Sequence, residues 1–365
     1  MAEVTMSMGS SALLAGLPVI GPNLSALYAM ISAHIQYIPS RSAMAVTDGA
    51  GWSGLGWKAW TDLALIRARL DAGADPNSGA GFHGRPLHQA AEDGSPEVVA
   101  ELARRVDDVD AEDEGRTALW LAVFNNRPGN ARALIAAGAD PWRPMMNGWS
   151  PGRLSLATPT PDLFTIPSRE IGLSTTEAAA VAEARHLITA LGDLDYDGFS
   201  LACVAGISAA EAAQRLEATP VEDDDMEAII EDPWSDDDEG LAVIGVTDVP
   251  GGCVVSQPWG YIPSMSSVIT RLSVGTVCYG LFANPKSGNQ GSITRDGAIE
   301  EWDTHPGGGS VSDDESAEEI LATYLYHGEA VAYCCAGANL RPTDDRAIIG
   351  QADMWLRLPE HYWRH

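Results

Sequence analysis

The sequence has little positive charge. Lysine and arginine together number 22 against 51 aspartates and glutamates, so the formal net charge is −29 at pH 7. Proteins bind nucleic-acid backbones through clustered lysine and arginine, and anionic lipid surfaces attract the same residues. The composition therefore argues against a nucleic-acid partner and a membrane-surface partner, and it favours a basic protein or a cation.

Cysteine is also scarce, and no two cysteines have the C-x-x-C spacing of a zinc site. The five cysteines are Cys203, Cys253, Cys278, Cys334 and Cys335. An odd number without paired spacing is not a disulfide framework, so we predict a reducing, cytoplasmic compartment. The apolar run around Cys334 and Cys335 indicates that this pair is buried. We expect no metal site and no cofactor.

Long hydrophobic runs are absent, even in the almost uncharged stretch of residues 1–55. Pro18, Gly21 and Pro22 interrupt its apolar residues, which therefore fall short of the roughly 18 that span a membrane. We interpret residues 1–55 as a segment that caps the next domain. An arm for partner binding or self-association, or a peripheral membrane contact, are the alternatives.

Internal repetition is the strongest signal in the chain. The segment Gly73-Ala74-Asp75-Pro76-Asn77 returns 65 residues later as Gly138-Ala139-Asp140-Pro141-Trp142. Between them, Gly84-Arg85-Pro86-Leu87-His88-Gln89-Ala90-Ala91 is followed after 31 residues by Gly115-Arg116-Thr117-Ala118-Leu119-Trp120-Leu121-Ala122. A further start is Gly148-Trp149-Ser150-Pro151. These segments resemble the ankyrin repeat, whose period is about 33 residues.

The resemblance implies a stack of three helical hairpins over residues 56–165, with second helices at 63–70, 97–103 and 130–136. A single hairpin exposes too much apolar surface to stand alone, so the repeats must stack. Proline suits the first helical turn at Pro86, and glycine suits the helix C-caps at Gly73 and Gly138. The resemblance also gives His88 a structural role in hydrogen bonding and implies protein binding through the loop tips and the concave face.

Two loop tips of the stack carry candidate partner-binding residues. An acidic tip and a tip rich in tryptophan and methionine supply them: Asp107, Asp108, Asp110, Glu112, Asp113, Glu114, Trp142, Met145, Met146 and Trp149. Exposed aromatic and methionine side chains beside carboxylates suit a recognition surface. Alternatively, the acids are merely solvated and the aromatics are buried against the following domain.

After a linker and helix at 166–193, residues 194–365 have the pattern of a mixed domain. Capping boxes begin helices at Ser174 and Ser208, β-like segments begin at Leu241, and a helix is predicted over 315–331. Pro250-Gly251-Gly252 and Asp296-Gly297 predict hairpins. The fold class is therefore α+β multidomain: a short ankyrin-type stack, then a curved antiparallel sheet with flanking helices. Residues 195–350 resemble a family of uncharacterised bacterial domains, and no established activity comes with this resemblance.

An acidic segment at 222–239 contains eleven carboxylates and no base, with Met226, Ile229, Ile230 and Trp234 between them. We interpret it as a solvated acidic loop. The alternatives are a segment that docks on a basic partner and, with less support from its spacing, a calcium site.

Catalytic motifs do not emerge from the sequence. Trp259, Tyr261 and Trp302 could line a small-ligand pocket, although we favour aromatic packing in a sheet core as their explanation. We therefore predict a non-catalytic protein that binds a basic protein partner, in its sharper form an inhibitor or immunity-type protein. The alternatives are a C-terminal sensor or enzyme recruited by the repeats, and a structural subunit that assembles through its N-terminal arm.

Overall fold

The computed structural model describes residues 51–79, 84–168, 171–194, 198–233, 239–349 and 352–362. The first 50 residues of the predicted N-terminal arm, and Trp234 of the acidic segment, lie outside these described residues. Trp52, which we assigned to the arm, is buried against Trp60 with their rings 5.8 Å apart. Its Nε1 donates a hydrogen bond to the Asp75 carbonyl, 2.7 Å away.

The first part of the described chain is built from short helices, most of which begin with proline. After a 3-10 turn at Trp57–Thr61, they are α1 (Leu63–Asp71), α2 (Pro86–Asp93), α3 (Pro96–Ala103), α4 (Ala118–Phe124), α5 (Pro128–Ala136) and α6 (Pro151–Ser155). Helices α2, α4 and α6 form an inner layer, and α1, α3 and α5 form an outer layer. The short hairpin of β1 (Glu112–Asp113) and β2 (Arg116–Thr117) precedes α4.

Polar side chains join successive repeats at a nearly constant offset. The Asn77 Oδ1 accepts a hydrogen bond from the Asp107 amide, and the Asp110 carboxylate accepts one from the Asp140 amide, each 30 residues further along. Gly73 and Gly138 end their outer helices with φ of +94° and +100°, the left-handed conformation that the sequence predicted there. Because these contacts recur with the repeat, they fix the spacing of the loop tips.

The second part is a mixed domain that follows the long helix α7 (Thr175–Leu191). Its strands are β3 (Phe199–Ala205), β4 (Thr219–Pro220), β5 (Val243–Val249), β6 (Gly252–Gln257), β7 (Val277–Asn284), β8 (Gly288–Arg295), β9 (Ala298–Asp303) and β10 (Met354–Arg357). Its helices are α8 (Ala209–Arg215), α9 (Asp223–Glu231), α10 (Ser266–Leu272), α11 (Ala317–Leu325) and α12 (Ala330–Gly337).

These strands form one antiparallel sheet in the order β4-β10-β5-β6-β3-β7-β8-β9. Alternation along β3 sends Leu201 and Cys203 to a face covered by α7 and α12. Ala202 and Val204 face the opposite side, where α8 and α10 pack. The predicted fold class, helical repeats followed by an antiparallel sheet with helices, is thus confirmed. Cys334 and Cys335 are buried as predicted, and the other three cysteines are buried and free as well.

The predicted helix over 315–331 is wrong in one respect, because the structure divides it into α11 and α12. Gly328 lies between them with φ of +85°, a conformation that glycine adopts without strain. Its amide donates to the Gly307 carbonyl at 2.6 Å. The break turns α11 towards the repeats while α12 covers the sheet.

Helix α11 belongs to the same hydrophobic core as the ankyrin helices. Ile320, Leu321 and Tyr324 of α11, with Val311 of the preceding loop, are buried in one cluster with Trp120 and Phe124 of α4. The C-terminal domain therefore packs directly on the inner layer of the stack.

Candidate functional site

The acidic tip is only partly available to a partner. Asp107, Asp108, Glu112 and Glu114 are exposed, whereas Asp110 and Asp113 are half-buried. Asp113 accepts a hydrogen bond from the Arg85 amide at 3.1 Å. Burial raises the pKa of Asp110, although the hydrogen bond from the Asp140 amide opposes this shift. These two half-buried carboxylates therefore contribute to the spacing of the repeats.

Two of the four exposed acids of the tip form ion pairs, and two do not. The Glu112 carboxylate contacts the Arg143 guanidinium at 2.6 Å, and the Glu114 carboxylate contacts that of Arg116 at 2.5 Å. Asp107 and Asp108 have no ion pair within the described part of the chain. Asp107 and Asp108 are thus the carboxylates of this tip that remain open to an external cation.

The second tip is only partly exposed, and two of its residues are buried as in the alternative interpretation. Met146 and Trp149 are buried, and the Trp149 Nε1 donates to the Ala317 carbonyl of α11 at 2.9 Å. Trp142 and Met145 are half-buried. The prediction of exposed recognition residues is therefore corrected for Met146 and Trp149, because the C-terminal domain covers them. Trp142 and Met145 remain candidate partner-binding residues because part of each side chain is exposed.

The acidic segment 222–239 was predicted as a solvated loop, but the structure contains helix α9 there. Met226 and Ile229 are buried against Val243 of the sheet, whereas Ile230 is 57% exposed. Met226 and Ile229 are three residues apart and therefore lie on one face of the helix, with acids on its other faces. This apolar face anchors the helix to the sheet. The embedded Met226 and Ile229 are consequently unavailable for docking on a partner.

The predicted aromatic pocket is not formed. Trp259 stacks on Trp355 of β10 with ring centroids 5.7 Å apart, whereas Trp302 lies exposed on the opposite edge strand, β9. Six strand spacings of about 4.8 Å place these edges roughly 30 Å apart. Tyr261 contacts Phe282 of β7 between them. Each aromatic ring therefore has its own neighbours, and the three share no site.

A cleft of about 290 Å³ lies instead where the ankyrin repeats meet the C-terminal domain. The repeats provide one wall from α2, α4 and the β1–β2 hairpin, and the C-terminal domain provides the other. The lining residues are Gly84, His88, Gln89, Glu92, Asp113, Glu114, Arg116, Trp120, Leu121, Phe124, Asn125, Gly308, Gly309, Ser310, Val311 and His327. Neither part of the chain forms this cleft alone.

The polar side chains of the cleft leave hydrogen-bond acceptors unused. The Gln89 Nε2 donates to the Asp93 carboxylate at 2.5 Å, and the Asn125 Nδ2 donates to the Leu121 carbonyl at 3.0 Å. Their side-chain oxygens have no donor among the described residues, nor does the Glu92 carboxylate. The cleft is therefore rich in acceptors.

Partial burial shifts the pKa values of several titratable groups in the cleft. Burial raises the pKa of Glu92, and the nearby Asp93 raises it further against Arg116 and Arg127. Burial lowers the pKa values of His88 and His327, so both imidazoles are neutral at pH 7. The His88 Nε2 lies 2.9 Å from the Arg116 carbonyl and must donate to it, which makes His88 structural, as the resemblance implied, and its Nδ1 an acceptor.

Sequence patterns alone did not reveal this cleft. His88 had been singled out only for its structural role. The loop at residues 308–311 and His327, which line the other wall, carry no motif that relates them to the repeats. The unused signal was Glu92, a carboxylate in the first helix of a repeat whose other positions are mostly apolar.

Metal and membrane signatures were also sought across the structure. Within the described ranges, no three His, Cys, Asp or Glu side chains gather in a metal-binding arrangement. The helices of those ranges are all too short or too polar to cross a bilayer.

Comparison with known proteins agrees with the architecture of the first part. No curated protein matches the chain. The family model described as ankyrin repeats (3 copies) matches residues 59–145, which span α1 to α5 and the β1–β2 hairpin. The match ends before the sheet, so the C-terminal domain is characterised by its fold alone. Residues 59–145 are therefore three ankyrin repeats, the module that the repeated sequence segments indicated.

Proposed function

We propose that this protein binds a basic protein partner through its ankyrin repeats and performs no chemistry with them. Ankyrin repeats indicate a protein–protein interaction module, and this observation carries the proposal. The net charge of −29 supports a basic partner, because complementary charge speeds association and disfavours like-charged competitors. The partner would meet Asp107 and Asp108 at the exposed tip.

A sharper form of the proposal is an inhibitor of immunity type that masks a basic toxin or nuclease. Its support is the combination of an acidic surface with a repeat scaffold, since masking an active basic surface needs a complementary rigid one. The inner layer of the stack is partly covered by α11. The partner would therefore use the edge of the repeats and the cleft beside it.

The test is capture of partners by the full-length chain from extracts of its native cell, at about 50 and about 300 mM salt. The captured proteins are identified by mass spectrometry, and the dissociation constant of each purified candidate is then measured. We expect a basic protein that is released at the higher salt, because screening weakens contacts between exposed charges.

A double variant, D107N/D108N, tests the tip, with D71N/E97Q as a control. Asp71 and Glu97 are exposed on the outer helices of the same repeats, so the control removes equal charge from a different face. We expect D107N/D108N to weaken binding by about 2- to 30-fold, since exposed ion pairs contribute about 0.2–1 kcal/mol each. A dissociation constant that changes neither with salt concentration nor in D107N/D108N would contradict the proposal.

A further inference from the structure

We propose that the cleft between the repeats and the C-terminal domain binds a guanidinium group, supplied by an arginine side chain of the partner. This inference rests on the proposed function and adds the chemical group that the partner presents. It assigns a binding role to Glu92 and to the loop at residues 308–311, neither of which belongs to the acidic tip.

The unused acceptors of the cleft call for a ligand that only donates hydrogen bonds. The Glu92 carboxylate and the side-chain oxygens of Gln89 and Asn125 lack donors within the described part of the chain. His88 is only 4% exposed, and its Nδ1 has no hydrogen-bond partner. A guanidinium has five donors and no acceptor, so it matches this lining better than a carboxylate or phosphate would.

The apolar residues of the lining suit the rest of an arginine side chain. Leu121 is half-buried and offers apolar surface to the cleft, whereas Trp120, Phe124 and Val311 lie beneath it and are at most 5% exposed. The methylene stem of an arginine packs on such an apolar floor. The volume of about 290 Å³ is at the lower end of small-ligand sites, so the cleft fits one side chain rather than a helix.

The charges around the cleft also favour a cation. Among the lining residues, Glu92, Asp113 and Glu114 are acidic and Arg116 is basic, and Arg127 beside Glu92 offsets part of this negative excess. His88 and His327 add little positive charge at pH 7, because burial lowers their pKa values. Burial is the main cause of the raised pKa of Glu92. A bound cation would favour the ionised form.

Binding should consequently weaken at acid pH. Below the raised pKa of Glu92 the carboxylate is lost, and the two imidazoles become positive and repel a cation. Besides burial, Asp93 raises the Glu92 pKa, and Arg116 and Arg127 lower it. Burial lowers the His88 pKa, which Asp113 raises and Arg85 lowers. Affinity is therefore expected to fall as the pH is lowered from 7, because proton uptake by Glu92 and by the two imidazoles each disfavours a bound cation.

The experiment is isothermal titration calorimetry on the full-length chain at about 150 mM salt and pH 7.5. The probes are a hexaarginine peptide, a hexacitrulline peptide as its neutral isostere, and N-acetylarginine amide as a free small cation. The variants are E92Q, which removes the cleft carboxylate, and E97Q, which removes an equal charge from the outer helix α3. Thermal unfolding of each variant verifies that it is folded.

We expect hexaarginine to bind E92Q at least about 10-fold more weakly than wild type, because a hydrogen bond to a charged group contributes about 1.5–3 kcal/mol. E97Q should stay within about 2-fold of wild type, and hexacitrulline should not bind. A second variant, S310R, places a guanidinium of the chain itself at the rim. Because it competes from the C-terminal wall, it should weaken hexaarginine binding as E92Q does.

Equal affinities of E92Q and E97Q for hexaarginine would overturn the cleft proposal, as would unchanged binding by S310R. Binding of N-acetylarginine amide as tight as that of hexaarginine would overturn the polypeptide source and point to a small guanidinium compound. A captured basic partner that responds to D107N/D108N but not to E92Q would leave the proposed function standing and remove only this inference. If E92Q loses hexaarginine binding but no basic partner is captured, the cleft binds a guanidinium and the proposed function fails.

Discussion

Phe124 joins the ankyrin repeats to the C-terminal domain, and its replacement by alanine tests whether both parts share one core. The ring is 5% exposed, and its centroid lies 5.6 Å from that of Tyr324 and 5.0 Å from that of His327. Truncation of a buried phenylalanine to alanine costs about 3–5 kcal/mol through lost contacts and the remaining cavity. We expect F124A to lower the free energy of unfolding by this amount.

Urea denaturation followed by tryptophan fluorescence and by far-ultraviolet circular dichroism measures this effect. Because α4 and α11 bury their side chains in one cluster, we expect the wild type to unfold in one transition with coincident probes. L134A is the control, since Leu134 is fully buried in the outer helix α5. It should cost about 2–5 kcal/mol without disturbing the junction.

His327 distinguishes the two variants. Burial alone lowers its pKa below the ordinary value of 6.5, and the Phe124 ring covers part of it. In F124A water reaches the imidazole, so the His327 pKa should rise towards 6.5, whereas L134A should leave it unchanged. An NMR titration of the His327 ring protons measures both. Two separate unfolding transitions in the wild type, with F124A shifting only one, would refute the shared core.

Three further substitutions test individual contacts. N130A removes the amide that donates to the carbonyls of Ala90, Ala91 and Gly94, and should cost about 1–3 kcal/mol in urea titrations. W149F keeps an aromatic ring but removes the indole N–H that donates to the Ala317 carbonyl and leaves a small cavity, and it should cost about 1–3 kcal/mol by the same measurement. For Glu101, burial raises the pKa, but Arg67 and Arg104 outweigh it and the net pKa is lowered. Its stabilisation is therefore complete above the unfolded value of 4.5 and is lost as pH falls through the folded value. The difference in unfolding free energy between wild type and E101Q should accordingly shrink from about pH 5 towards pH 3, and a constant difference would contradict this account.

Local patterns predicted most of the individual elements. The segment around Pro86 begins α2, and Gly73 and Gly138 end their helices, because proline and glycine have narrow conformational roles at helix ends. Asp296-Gly297 forms the β8–β9 turn with φ of 46° and 79°, as a two-residue hairpin requires. Strand β10, which lies between β4 and β5, was missed, since four residues between loops carry too little periodicity to identify a strand.

The site was harder to predict because its parts lie far apart in sequence. Phe124 and Tyr324 meet across 200 residues, and no periodicity relates an ankyrin helix to a helix of another domain. For Met146 and Trp149 the sequence left two alternatives open, an exposed recognition surface or burial against the following domain. Their burial depends on α11, whose docking no local pattern records. Sequence therefore named both alternatives for this tip but could not choose between them.

This covering determines how a partner can approach the repeats. The inner layer is occupied around Phe124 and Trp149 by the C-terminal domain, so a long helix could not lie along it. What remains is the tip with Asp107 and Asp108, and the cleft that reaches inwards to Glu92. A partner that places a basic loop on the tip and one arginine in the cleft would contact both. Since residues 308–311 form a wall of that cleft, removal of the C-terminal domain should abolish the arginine site rather than uncover it.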